Sequence, residues 1–400
     1  MYDLLSGIRV VEVAAWVFVP TAGTVLADWG AEVVKVEDPV SGDPLRGLYN
    51  ALTTDGGVNL MYETSNRNKR CVGVNLKSPD GRAVLSDLVR TADVFLTNMR
   101  APARQKLGIG LDDIRADNPD VIYALGTGYG SRGAEADKPG FDAAASWARA
   151  GIAHQMRAED GTPPMVPASV GDLVGGLTLA GGVAAAIAGR ERTGRPTEVE
   201  VSLLATGMWL MAQNITAAPM GGVGLPSRRE ESRNPITVPY RTKDDRWIHL
   251  VMLQSQRIWP DFCRRIGRTD LLDDARFATA DAREMNAREC MAVLDDVFAG
   301  KVAAEWQEAL EGIDGVWDLV KSPVEMSSDP QALANGYLPD VEACDGSTYR
   351  GVASPVQFGG APIGALSGSP IHGQHTEEVL LELGLTWERL IELKESGAIL

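Results

Sequence analysis

A lone carboxylate among small residues is the feature of this sequence with the most chemical potential. In Ser169-Val-Gly-Asp-Leu-Val-Gly-Gly176, Asp172 opens an apolar, Gly/Ala-rich segment that runs to Gly189. That segment predicts a long helix starting at about Asp172, and its small residues let another backbone or a ligand come close. The carboxylate then has two readings. It caps the helix, as Asp commonly does, or it is a nucleophile whose charge the helix dipole favours, with first-turn N–H groups free to hold an oxyanion. The local sequence leaves both open.

Two basic stretches are suited to an anionic ligand. Val74-Asn-Leu-Lys77 precedes a helix start at Ser78, and Asn98-Met-Arg100 is followed by Arg104 and Lys106. Both fall at predicted strand ends, where Lys, Arg and helix N–H groups can contact phosphate, although a solvated surface patch would look the same. Gly126-Thr-Gly-Tyr-Gly130 follows a strand but opens no helix, and the first βα turn, Ala14 to Pro20, contains no glycine. A nicotinamide dehydrogenase is therefore not expected. Trp147, Met208, Trp209, Met211 and Met252 are read as core packing first and as walls of an apolar acyl pocket second. His372 and His375 are read as structural, and no metal site is expected.

These residues need elements to position them. Arg9–Val13, Ala31–Glu37, Cys71–Leu76, Asp93–Thr97 and Asp120–Leu125 read as strands, alternating with helices at Pro20–Trp29, Arg82–Thr91 and Leu111–Ala116. Such alternation predicts an α/β fold with a parallel sheet, and ligands beyond the carboxyl ends of its strands. A further helix is expected over about Val201–Ala217. Tyr240–Met252 has the turn chemistry of a hairpin, and Thr376–Leu383, opening on a Thr cap, reads as the last helix. The predicted layout is a large domain over 1–220, a linker over 221–235, a small α+β domain over 236–328, and a return to the large domain over 329–400.

Composition narrows the class. Of 400 residues 44% are hydrophobic and 23% charged, ordinary for a globular protein, and the formal charge of -16 opposes non-specific nucleic-acid binding. Cys71, Cys263, Cys290 and Cys344 are scattered and fit reduced thiols in a cytoplasmic protein. No apolar run is read as reaching the roughly 18 residues of a membrane span.

Several motifs together resemble the family III coenzyme A transferases, the CaiB/BaiF group that includes carnitine- and formyl-CoA transferases. They are Leu5–Val13, Leu26–Glu37, Ser41-Gly-Asp-Pro-Leu-Arg46, Asn68-Lys-Arg70, Val74–Pro79, Arg190–Arg195, Val199–Leu204, and Asp329-Pro-Gln331 to Gly373-Gln-His-Thr376. The resemblance spans nearly the whole chain. It implies a large Rossmann-like domain with a smaller α+β domain, in an interlocked homodimer. It also implies Asp172 as the nucleophile and a CoA site formed by Val17, Phe18, Asp38, Val74, Asn75, Leu76, Lys77, Asn98, Met99, Arg100, Lys106, Pro139, Gly140, Phe141 and Asp142. Asp142 is read either as orienting substrate or as purely structural.

The implied reaction moves CoA from an acyl-CoA to a carboxylic acid through aspartyl anhydride and aspartyl-CoA thioester intermediates. Departures from the pattern mark this chain. Phe18-Val-Pro20 stands where the family often has Ala-Gly-Pro, Asp38 where formyl-CoA transferase has arginine, and Ser232–Pro235 lacks that enzyme's glycine-rich loop, so oxalate is not the expected substrate. The related α-methylacyl-CoA racemases use a histidine and a glutamate where this chain has Phe141 and Gln254, which cannot exchange protons. A racemase or isomerase thus ranks below a transferase, and a CoA-binding relative without transfer activity ranks third.

Overall fold

The computed structural model describes residues 1–48, 58–167, 169–222, 224 and 226–400; positions 223 and 225 of the expected linker lie outside them. The elements in order are β1 Arg9–Val13, α1 Phe18–Asp28, β2 Glu32–Glu37, α2 Leu60–Asn66, β3 Arg70–Gly73, α3 Pro79–Arg90, β4 Val94–Thr97, α4 Ala101–Leu107, α5 Leu111–Asp117 and β5 Ile122–Thr127. They continue with a wide π-type turn at Ala143–Ala148, α6 Ile152–Gln155, α7 Val170–Thr193, β6 Glu198–Ser202, α8 Leu203–Leu210 and α9 Ala212–Ala217. Two compact units result, one of residues 1–215 with 329–400 and one of residues 216–328.

The first unit is built on a six-stranded sheet of order β3-β2-β1-β4-β5-β6, parallel at every pairing. Its central strands β1, β2, β4 and β5 are rich in Val, Ile and Leu because helices cover both faces, whereas the edge strand β6 alternates. One core face packs Val11, Val34, Phe95 and Tyr123 under α3 and α5, and the other packs Val10, Val33, Leu96 and Ala124 under α1 and α7. In this strand order the chain reverses between β1 and β4, and the crevice beyond their carboxyl ends is where such sheets take ligands.

Within the other unit, β7 Pro239–Arg241, β8 Trp247–Val251 and β9 Val316–Leu319 form an antiparallel sheet. Asp245 turns the β7–β8 hairpin at φ 60°. Helices α10 Ser255–Arg265, α11 Ala280–Met285, α12 Ala287–Phe298, α13 Ala303–Leu310 and α14 Pro323–Met326 complete it. The returning segment adds α15 Pro330–Ala334, a small mixed sheet of β10 Asp340–Glu342, β11 Thr348–Arg350 and β12 Leu366–Ser367, then α16 Thr376–Glu382 and α17 Trp387–Glu395. It seals the β3 edge: Cys71 N donates to His375 Nδ1 at 3.1 Å, and Leu400 N donates to Gly73 O at 3.1 Å.

Four expectations need correction. The run from Val201 to Ala217 is not one helix, because Glu198-Val-Glu-Val-Ser alternates with period two and joins β5 as β6. Ser202 then caps α8, its Oγ accepting from Ala205 N at 3.0 Å. The third strand ends at Gly73 rather than Leu76, since Asn75 turns the chain by accepting from Lys77 N at 3.1 Å. Thr376 is the first residue of α16 rather than its cap, and α17 follows it. Finally, α7 has the length and apolarity of a membrane span, at 24 residues. Its Leu179, Ala180, Val183 and Ile187 pack instead in the core face under α1.

Charges buried beneath α1 tie the first unit together. Glu12 and Lys35, set in otherwise apolar strands, are fully buried, and Lys69 nearly so. Lys35 Nζ contacts Glu12 at 3.1 Å and Asp43 at 2.9 Å, while Lys69 Nζ contacts the other Glu12 oxygen at 2.8 Å and the carbonyls of Pro20 and Ser65 at 2.7 and 2.8 Å. Gly23 of α1 makes room, because a Cβ there would lie 2.0 Å from Glu12 Oε2. Neutralising Glu12 strands two buried ammonium groups around one remaining carboxylate. Glu12→Gln is therefore expected to destabilise the protein by about 3–5 kcal/mol, read by chemical denaturation.

Candidate active site

The turn between β1 and α1 forms the first wall of a cavity. Trp16 holds φ 70°, an uncommon conformation for a residue with a side chain, so its neighbours must impose it. Asp43 Oδ1 accepts from Trp16 N at 3.1 Å, and Asn98 brackets Ala15, accepting from its N at 3.1 Å and donating to its O at 2.6 Å. The buried charge cluster thus reaches the cavity through Asp43. Trp16 in turn meets Phe141 edge to face, ring centres 5.3 Å apart.

Asp172 lines this cavity of about 380 Å3, together with Ala15 and Trp16 from the first turn, Phe18 opening α1, Asn98, Met99, Arg100 and Arg104 after β4, Thr127 and Gly128 at the end of β5, Asp137 to Phe141, and Leu203. The size is within the usual range for a small-molecule site. Three strand ends therefore converge on one carboxylate.

The position of Asp172 follows from glycine spacing. Gly171 and Gly175 are four residues apart and share a face of α7. A Cβ on Gly175 would come 2.7 Å from the Phe18 ring, and one on Gly176 would come 2.7 Å from Phe18 O. The far side of the same ring meets Gly126, where a Cβ would come 2.9 Å away. Phe18 is thus a buried wedge between β5 and α7.

Asp172 is the third residue of α7. The residue ahead of the helix is Ser169 at φ 58°, so the capping reading of Asp172 is set aside. The expected free N–H groups also need correction. Val170 N donates to Pro167 O at 3.2 Å, Gly171 N to Asp142 Oδ2 at 3.1 Å, and Leu173 N to Ser169 O at 3.0 Å. Those three amides are committed within the protein. Burial raises the Asp172 carboxyl, the Asp142 charge adds to this, and together they bring it to about 7.

Asp142 itself is buried, its other oxygen held by the Ser146 hydroxyl. It lies behind the cavity surface. Of the remaining expected residues, Phe18, Asn98, Met99, Arg100, Pro139, Gly140 and Phe141 line the cavity, whereas Val17 packs with Leu45 and Tyr62, and Lys106 is exposed on α4. A second group gathers at the ends of β2 and β3. There Lys77 Nζ pairs with Asp38 at 3.1 Å, and Asn75 and Leu76 flank it, while Val74 is core. Burial acts upward on the Asp38 carboxyl, but the amides of Ser41 and Val40 and then Lys77 outweigh it and hold it at about 2.

Trp16, Ser131, Asp137, Lys138 and Ser146 were not picked out as site residues by sequence reasoning; only the glycine-free first turn gave a signal, for Trp16. The apolar candidates divide. Trp147 and Met252 are core, but Met208 and Trp209 are exposed and line no part of this cavity.

Fold and sequence together define the class: residues 5–376 match CoA-transferase family III, and the chain belongs to that family. It is a CoA-transferase, whose substrates are an acyl-CoA and a carboxylic acid. Among relatives, it is 35% identical to (R)-2-hydroxy-4-methylpentanoate CoA-transferase of Clostridioides difficile, over 99% of each chain. It is 33% identical to cinnamoyl-CoA:phenyllactate CoA-transferase of Clostridium sporogenes, over 100% of this chain and 98% of that one. A solved structure of Rv3272 from Mycobacterium tuberculosis superposes with a TM-score of 0.82 at 30% identity, over 94% of this chain and 99% of the other.

If Asp172 must be ionised to attack, activity falls below its titration midpoint. The acid limb of kcat/KM, which reports groups of the free enzyme, is expected near pH 7. Asp142→Asn removes the neighbouring charge and should move that limb to lower pH, measured by initial rates across pH 5–9.

Proposed function

We propose that this chain transfers CoA through covalent intermediates on Asp172, and the observation that carries the reading is the Asp172 carboxyl at about 7 within the cavity. An Asp172 oxygen attacks the thioester carbonyl, the C–S bond breaks, and CoA leaves as thiolate from an aspartyl anhydride. The thiolate then attacks the aspartyl carbonyl and expels the first acid as its carboxylate. The acceptor carboxylate attacks the resulting aspartyl-CoA thioester, releasing thiolate and forming a second anhydride. Attack of the thiolate on the acceptor's acyl carbon gives the new acyl-CoA and restores Asp172. The activated bond is kept throughout, because an acyl carboxylate is both nucleophile and leaving group.

Arg100 and Arg104, with Lys106 on the same helix, supply cationic groups for the CoA phosphates despite the acidic net charge. The apolar walls Trp16, Met99, Phe141 and Leu203 suit a branched or aromatic acid. The names of the two relatives point the same way, so a 2-hydroxy acid with such a side chain is the proposed acceptor. An interlocked homodimer, on family likeness alone, and a cytoplasmic location, on the scattered cysteines, complete the reading.

The test is to incubate the protein with an acyl-CoA panel, trap with hydroxylamine or borohydride, and locate the mark by mass spectrometry. A mark on Asp172, with Asp172→Ala slowed by roughly 1,000-fold or more, is the expected result. Full transfer activity in Asp172→Ala rejects the covalent route.

A further inference from the structure

We infer that Ser146 is a positioning residue for acyl transfer, its hydroxyl and the Gly171 amide clamping the Asp142 carboxylate beside Asp172. The inference rests on the proposed role of Asp172. As that oxygen attacks, its negative charge moves onto the thioester oxygen and sulfur. Repulsion from a fixed Asp142 is present in the resting site and relieved along the reaction, a difference that speeds the step.

The clamp is built without slack. Ser146 is 1% exposed and Asp142 5%. Each Asp142 oxygen has one donor, Ser146 Oγ on Oδ1 and Gly171 N on Oδ2 at 3.1 Å. A Cβ at Gly171 would fall 2.1 Å from Ser146 Oγ, and one at Gly207 would fall 2.5 Å from Ser146 O. The turn carrying Ser146 is therefore gripped by α7 on one side and α8 on the other. It closes with the wide bond Arg149 N to Ala144 O at 3.1 Å.

Among the described residues, the charges on the packed elements lie at far ends or are engaged elsewhere: Arg190, Glu191 and Arg192 sit in the last turns of α7, with Arg190 bound to Asp93 at 2.7 Å. α8 has no ionisable side chain, and His154 of α6 contacts Arg157. Asp28, at the far end of α1, is bound to Arg67 at 2.7 Å, and Arg149 pairs with Glu135 at 2.8 Å. Arg100, Arg104, Asp137 and Lys138 line the cavity itself. Asp142 is the charged neighbour that acts on Asp172.

The experiment compares Ser146→Ala, Asp142→Asn, the double variant and Asp172→Asn by kcat and KM across pH 5–9, with thermal unfolding midpoints recorded for each. Ser146→Ala should lower kcat by about 10-fold, leave KM within about 2-fold, and move the acid limb of kcat/KM to lower pH. In the Asp142→Asn background it should add less than about 2-fold, because both changes act through one carboxylate. Should Ser146→Ala fail to fold, Ser146→Cys, of similar volume and weaker as a donor, should give a smaller shift in the same direction. An acid limb that stays in place in a folded Ser146 variant, or an undiminished loss in the Asp142→Asn background, overturns the positioning role alone. Full activity in Asp172→Asn overturns this role and the covalent mechanism together.

Discussion

The close approach of α7 to α1 and β5 is the constraint on which the rest of the first unit depends. Gly175 on one side and Gly126 on the other leave a slot that the Phe18 ring fills, while Gly176 lets α7 close onto Thr21 and the Phe18 carbonyl. Replacing any of these hydrogens by a methyl group forces α7 outward, and interiors at crystal-like density have little room to absorb such a shift. Because Asp172 sits one turn ahead of Gly175 and Gly176, the packing that holds the helix also aims the carboxylate. Core and site are thus one piece of geometry.

A second constraint works from beneath. Buried ion pairs contribute little net stability, since desolvation offsets most of their attraction. The Glu12, Lys35, Lys69 and Asp43 cluster acts through geometry: it joins β1, β2, the residue ahead of β3 and the segment after β2 to the turn that carries Trp16. Further out, Glu37 Oε2 accepts from Asp43 N at 3.0 Å and is gripped by Arg46 at 2.8 Å, which holds Asp43 in turn. One cavity wall is therefore anchored in groups that water does not reach.

Much of this was legible in the chain. Valine-rich strands alternating with helices gave the parallel sheet, because strands buried on both faces must be apolar along their whole length. The Asp172 segment stood out through its glycines, which marked close contact without saying with what. What stayed hidden depends on distant partners. Ser146 and Asp142 lie in a turn whose meaning comes only from Gly171 and Gly207, and the slot that takes the Phe18 ring is made by Gly126 and Gly175, 49 residues apart in the chain. The charges of Glu12 and Lys35 were visible inside apolar strands and could have been paired with one another. Lys69 and Asp43 could not, since they come from outside those strands.

The first unit is discontinuous. Tyr2 donates to Ala361 O across 359 positions, and β3 is flanked by residues from the last thirty of the sequence. Residues 216–328 form their compact unit from one uninterrupted stretch. On a ribosome, where synthesis proceeds from the amino end, the inserted unit has every partner it needs before the surrounding one does. The exposed edge of β3 must wait, unpaired, for a segment not yet made, so the interval between the two is when the chain is most open to mispairing with another strand.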